Sequence, residues 1–443
     1  MILSFWKKNL NKPNKQHQKP ELQKIKLVIV SFEDDCLHNS GQILAKYLSN
    51  NNMLEITYYD EPFNKSFLDL KSRNFFDLTD TGNKILRKTN SDVLMWGYRK
   101  EKTIRLNFQT LNQYDKQYFP FFSLLNCLYL PLESLQSENL AQSLIELIYA
   151  TILTVRKSED YLPILQQTIT QINNSSPPKN LSIDCMPYIS NLLALTYLNS
   201  VRQNLQVSDI KIVSSILKNA LNYQKKGNNS ILNGLVYANL GQLYHLATDL
   251  SVEKKYVNCK FAIDFYLLSQ KYFNRHTYPY DFAFTAYRLS KLYFAYWKYT
   301  GDIQSLRDAV FQLRESLKIF GKVVFPDIWA EIQNDLGLYL SMMAVFSKND
   351  EIAKIAIENY KNYQQVYTKE FFPIQWATAQ ENIANIFFEC GKIYNNEEYF
   401  ENAIKYYNSA SEVYDEHNLG DKHNQTKVLI LKIDEYLAKL TQY

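Results

Sequence analysis

The densest run of chemistry-bearing side chains is Glu33-Asp34-Asp35-Cys36-Leu37-His38, which brings carboxylates, a thiol and an imidazole together. It follows the apolar run Lys26–Phe32, which reads as a buried strand. The carboxyl end of a strand in an open α/β sheet is where ligands usually bind, so a metal or phosphate-linked site is one reading. The reading adopted is a solvated loop in which Asp34 or Asp35 begins the next helix.

Other chemistry is missing by spacing. The 11 glycines never come closer than seven residues, so neither a Gly-rich phosphate cradle nor a P-loop can be written with them. The nearest histidines, His417 and His423, are six apart, and no His-Glu-x-x-His or Gly-x-Ser-x-Gly occurs. The expectation is a non-enzymatic chain with no catalytic residues, no metal and no cofactor.

Five widely spaced cysteines without a Cys-x-x-Cys suit reduced thiols and a cytoplasmic location. Lys7, Lys8, Lys12, Lys15 and Lys19 against Glu21 account for the whole net charge of +4. The remaining chain is formally neutral, unlike the basic face of a nucleic-acid binder. The start, Met1-Ile-Leu-Ser-Phe-Trp-Lys-Lys, reverses the order of a signal peptide. Residues 1–22 read as a basic, disordered tail. A second role for residues 1–8 is a peripheral membrane contact, with Ile2, Leu3, Phe5 and Trp6 inserting and the lysines meeting anionic lipid. No run is apolar for long enough to span a bilayer.

The elements that would position any site fall into two regimes. Residues 23–135 mix short strands and helices: Lys26–Phe32, a helix over Ser40–Ser49, a strand over Leu54–Tyr59, a helix near Asp80–Thr89, then Asp92–Arg99 and Thr103–Gln109 as a hairpin. Leu124–Leu132 adds a further strand. This is a small α/β domain with parallel and antiparallel parts. Residues 136–178 form a helical connector, with helices over Glu138–Arg156 and Asp160–Asn173 and a hinge at Asn174-Ser-Ser-Pro-Pro-Lys179.

From 179 to 443 the sequence repeats. Pro326-Asp-Ile-Trp-Ala330 returns as Pro373-Ile-Gln-Trp-Ala377 and, less closely, precedes itself as Pro279-Tyr-Asp-Phe-Ala283, in steps of 47 residues. Ala262, Ala309, Ala356 and Ala403 keep the same beat. A small residue follows Leu or Ile at Ala194, Gly241, Ser290, Gly337 and Ala384, and three residues beyond stand Tyr197, Tyr244, Tyr293, Leu340 and Phe387. Tyr266, Leu313, Tyr360 and Tyr407 mark the second helix. The pattern predicts antiparallel hairpins of a helix A and a helix B, small residue facing small residue, with each Pro in the first turn of helix A. Trp329 and Trp376, recurring at the repeat step, read as packing between units. About five units span 180–416, and 421–441 gives a capping helix.

These Leu-Gly, aromatic and small-residue positions resemble the tetratricopeptide family, lengthened from its usual unit. The segment Ser91-Asp-Val-Leu-Met-Trp-Gly-Tyr-Arg99 with Thr103-Ile-Arg-Leu-Asn-Phe108 is similar to the N-terminal domain of TolB- and FlgO-like proteins. Together they resemble tetratricopeptide proteins of alphaproteobacterial type. The resemblance implies an α/β domain followed by an all-α, superhelical solenoid, and no established activity.

In such arrays helix A lines the inner groove. Carried over, the groove positions are Asn191, Gln242, His245, Tyr287, Lys291, Asn334, Ser341, Glu381, Asn385 and Glu389, a mostly polar set that suits a peptide clamp. The function expected is a protein-protein interaction scaffold or adaptor with a protein or peptide partner. The other reading is a ligand-sensing or enzymatic α/β domain with the repeats as an accessory.

Overall fold

The computed structural model describes residues 23–32, 39–60, 75–100, 103–111, 127–131, 148–153, 163, 167, 186–201, 204–224, 230–250, 255–276, 278–323 and 325–440. The Glu33–His38 run, the tail 1–22, the hinge 174–179 and most of the two connector helices lie outside these residues. The chain divides into two compact units, the first ending at Phe282 and the second starting at Ala283.

In the first unit, β1 (Ile25–Val30), β2 (Leu54–Tyr59), β3 (Val93–Lys100), β4 (Thr103–Thr110) and β5 (Cys127–Pro131) form a five-stranded sheet in the order β2-β1-β3-β4-β5. β1 runs parallel to both neighbours, and β3-β4-β5 is an antiparallel meander. Position explains composition. β1 is central, so Leu27, Val28, Ile29 and Val30 are all buried, whereas β2 at the edge buries Leu54 and leaves Glu55 and Thr57 exposed. The expected hairpin is β3-β4, paired from Val93–Thr110 to Lys100–Thr103. Among the described residues two helices accompany the sheet: α1 (Ser40–Leu48) follows β1, and α2 (Phe75–Lys88) leads to β3. Asp92 ties β3 to β1, its carboxylate accepting from the Lys26 amide at 3.0 Å while its own amide donates to the Lys26 carbonyl at 2.8 Å.

Helices follow in close succession. In the first unit α3 (Met186–Val201) pairs with α4 (Val207–Gln224), and α5 (Ser230–Ala247) pairs with α6 (Lys255–Gln270). The second unit holds most of α7 (Pro279–Thr300), then α8 (Ile303–Leu317), α9 (Pro326–Ser347), α10 (Asp350–Gln364), α11 (Pro373–Tyr394), α12 (Glu397–Glu416) and α13 (Gly420–Leu440). In the second unit α8 packs on α9, α9 on α10, α10 on α11, α11 on α12 and α12 on α13, and α9 also touches α11. Pro326 and Pro373 stand in the first turn of their helices, as expected, where the absent N–H removes nothing.

The turn from helix A to helix B is written in two residues that recur every 47. Gly301 (φ 71°), Lys348 (φ 51°) and Asn395 (φ 53°) are left-handed. The next residue in each case, Asp302, Asn349 or Asn396, is the N-cap of helix B. Asp302 accepts from the Gln304 and Ser305 amides, Asn349 from Ile352 and Asn396 from Glu398.

The return turn has its own aromatic lock. Phe320 meets Phe325 edge-on at 5.1 Å and 83°, and 47 residues later Tyr367 meets Phe372 at 5.2 Å and 83°. In the first unit Phe273 and Tyr278 stand 6.3 Å apart at the equivalent step.

The small-residue markers of helix A and helix B lie in one core, as with Ala384, Ala403 and Tyr407, and the glycines among them receive aromatic rings. Gly241 faces the ring of Tyr266, and Gly337 that of Tyr360; a Cβ on either glycine would come within 2.9 Å of ring atoms. Gly391 stands in the same relation to Phe400, at 2.8 Å. Helix A therefore supplies a hole and helix B an aromatic knob. The side chain that fills the space is the buried tyrosine one turn beyond the small residue of helix B, Tyr266 after Ala262 and Tyr360 after Ala356.

Candidate functional site

The helix-A residues expected to line a groove occupy three kinds of place. In the first unit, Asn191 on α3 and Gln242 on α5 are buried, and Asn191 accepts from Asn239 Nδ2 of α5 at 2.8 Å. This side-chain bond joins two successive A helices. His245 is half-buried near the end of α5.

In the second unit, Tyr287 is buried and Lys291 half-buried, and both converge on Asp335 of α9. Lys291 Nζ lies 3.1 Å from Asp335 Oδ2, so α7 is ion-paired to α9. The Lys291 side chain keeps 42% of its surface exposed, so water screens the pair and discounts its contribution. Burial first, then the Asp335 and Glu331 carboxylates, push the Tyr287 phenol well above its usual range. Burial alone would lower the Lys291 ammonium, but the same carboxylates and Tyr339 raise it on balance. Tyr339 of α9 is also raised, by burial and then by Asp335, and stacks on Phe294 at 4.1 Å.

Ser341 is buried, its hydroxyl donating to the Leu338 carbonyl at 2.7 Å. Glu381 accepts from the buried Tyr414 hydroxyl at 2.7 Å, and Asn385 accepts from that of Tyr407. These two polar residues satisfy phenols rising from α12. Glu389 pairs with Lys392 one turn on, at 2.6 Å. Asn334 is half-buried. A polar residue on helix A is therefore not by itself a solvated one: Asn191, Gln242, Tyr287 and Ser341 are enclosed by the fold.

Sequence reasoning missed Asp335, Glu331 and Tyr339. Asp335 lies beside the repeat marker Leu336-Gly337, but nothing in its residue type shows that it is buried between helices. Also missed was an apolar continuation of the α9 face. Asn334, Leu338, Met342 and Phe346 follow at intervals of four, and Met342 and Phe346 are exposed at 37% and 61%.

Trp376 packs on helix B of its own hairpin, and a lysine of the preceding return turn stands over the ring of each tryptophan. Trp376 lies against Ala410, Val413 and Tyr414 of α12, with Lys369 Nζ 5.4 Å from its ring centroid. Lys322 stands over Trp329 in the same way, at 5.6 Å.

The arrangement holds protons tightly. Burial and the nearby carboxylates push its phenols above their ordinary range, and Lys291 pairs with Asp335, so these groups brace α7 against α9. Among the described residues no group of three His, Cys, Asp or Glu side chains is placed to hold a metal ion. No described helix is long and apolar enough to cross a membrane. In comparisons with known proteins, no family model matches the chain and no curated protein does.

Proposed function

We propose that this protein is a tetratricopeptide-like interaction scaffold whose helix-A stripe in the second unit grips a segment of a partner protein. The observation that carries the reading is the face of α9. Asn334, Leu338, Met342 and Phe346 present a polar end and an exposed apolar end along one line. A peptide clamp combines these two properties, with polar groups for register and apolar surface for affinity. Met342 supplies an adaptable contact, since its thioether chain repacks readily.

The repeated caps and the ring-in-hole contacts support the same reading. They place stability inside each hairpin and leave the outer part of the stripe available for recognition. In this view the α/β domain docks or senses, and the chain works in the cytoplasm without a cofactor. The test is a photo-crosslinking residue in place of Asn334 in the full chain, in its native cell. A partner captured there, and lost on Phe346→Asp, supports the scaffold. Capture no greater than from a crosslinker in place of Lys354, on helix B, sinks it.

A further inference from the structure

α13 occupies the place of a helix A. Counting 47 residues on from α11, Ala379 and Ile386 correspond to Thr426 and Ile433, and all four are buried. The positions of α11 that receive helix B include Ala377, Ala384, Phe388 and Gly391, which meet Ala410, Tyr407 and Phe400. Their counterparts in α13 are Asn424, Leu431, Glu435 and Ala438, all exposed. Where other A helices carry a small residue and accept a ring, α13 carries Leu431, a knob instead of a hole. It is 64% exposed, and Val428, one turn away on the same side, is 62% exposed.

A helix face of a repeat array that meets only water is polar. Two neighbouring aliphatic side chains in the middle of the α13 face do not fit that. Their surroundings are self-complementary. Lys427 and Lys432 precede Asp434 and Glu435, all four exposed, and none makes an ion pair among the described residues. Two such helices side by side in the same direction would set like charge against like. Turned antiparallel, each presents its lysines to the other's carboxylates, which is the isologous contact a two-fold axis generates.

We propose that α13 pairs antiparallel with α13 of a second copy of the chain, with Val428 and Leu431 forming the shared apolar contact. This is independent of the scaffold reading, because it uses the opposite end of the second unit from α7 and α9 and needs no other protein.

The test is sedimentation equilibrium of the full chain over a wide concentration range. The expected result is a reversible dimer that Leu431→Glu converts to monomer with unchanged helicity. Lys427→Glu with Lys432→Glu makes the face acidic; Asp434→Lys with Glu435→Lys makes it basic. Each doubly substituted chain should be monomeric alone, and an equimolar mixture of the two should dimerise. A wild-type chain that stays monomeric at every concentration overturns the proposal and leaves the face to a different protein. A dimer indifferent to Leu431→Glu, or half-swapped chains that fail to associate when mixed, also overturns it.

Discussion

The Tyr360 ring lies on Gly337 so closely that a Cβ added to the glycine would sit 2.9 Å from three of the ring atoms. Tyr360 is buried in α10 and cannot swing aside into solvent. Gly337→Ala therefore forces the two helices apart. Overpacking of this kind costs about 1–3 kcal/mol, offset by roughly 1 kcal/mol of improved helix propensity. Urea unfolding should show a net loss of up to about 2 kcal/mol. Gly321→Ala, where nothing stands within 4 Å of the added carbon, is the control and should stay within about 0.5 kcal/mol of wild type.

The left-handed residue that follows α7, α9 and α11 gives a second prediction, with opposite signs at two equivalent positions. Lys348 adopts φ 51° although it has a Cβ, whereas Gly301 reaches φ 71° without that strain. Lys348→Gly should raise stability by about 0.5–1 kcal/mol, the relief of left-handed strain less the greater freedom of glycine in the unfolded chain. Gly301→Ala should lower stability by about 1 kcal/mol. If both substitutions move stability the same way, the turn is not the common device described above.

These two contacts show what the sequence could and could not say. The central strand was legible because its short apolar run, Leu27–Val30, suits a strand covered on both faces of a sheet. The helical hairpins were legible because their markers recur at one step. The partner of Gly337 was not, because a missing side chain says that something approaches and not what. The left-handed turn was hidden in another way: Gly301, Lys348 and Asn395 share a conformation but no chemistry. Their neighbours Asp302, Asn349 and Asn396 share both, and a search for cap residues at the repeat step would have found them. Asp335 escaped because burial of a carboxylate is a tertiary fact, set by Lys291 and Tyr287 on another helix.

The caps predict a pH dependence. The Ser305 hydroxyl and the Gln304 amide donate to the Asp302 carboxylate and hold its pKa below the usual value. A group depressed in the folded state contributes stability above its unfolded pKa and loses it as pH falls through the folded one. Acid titration of wild type should therefore show a loss that Asp302→Asn, which still caps but does not titrate, lacks in the same range. Asn349→Ala, at the next unit, should cost about 1 kcal/mol with no such pH dependence.

Alkaline conditions act through the phenols. Burial, with the Asp335 carboxylate second, raises Tyr339 and Tyr360, and the same two causes raise Tyr287. Their contribution to stability is fully present below the unfolded tyrosine value of about 10 and falls away as pH climbs toward the folded values. Tyrosinate absorbance should thus rise in two stages, exposed rings first and the buried set only as the second unit unfolds. Circular dichroism followed in parallel would contradict this if helicity outlasted the complete absorbance change.

Glu381 separates a structural role from a recognition role at one position. Its carboxylate accepts from the Tyr414 hydroxyl at 2.7 Å, and the other acceptor nearby, Thr378 Oγ1, is at 3.4 Å. Tyr414 is fully buried, so removing the main acceptor strands a phenol inside the hairpin. Glu381→Ala should cost about 1–2 kcal/mol, and Glu381→Gln, which keeps a carbonyl oxygen in place, distinctly less. A partner that reads the negative charge would be lost with both substitutions, and one that needs only an intact hairpin would be lost with alanine alone. Stability and crosslinking yield measured on the same two variants assign the residue to one role or the other. Equal losses of stability from both substitutions would mean that the Tyr414 hydrogen bond is not what holds this part of helix A.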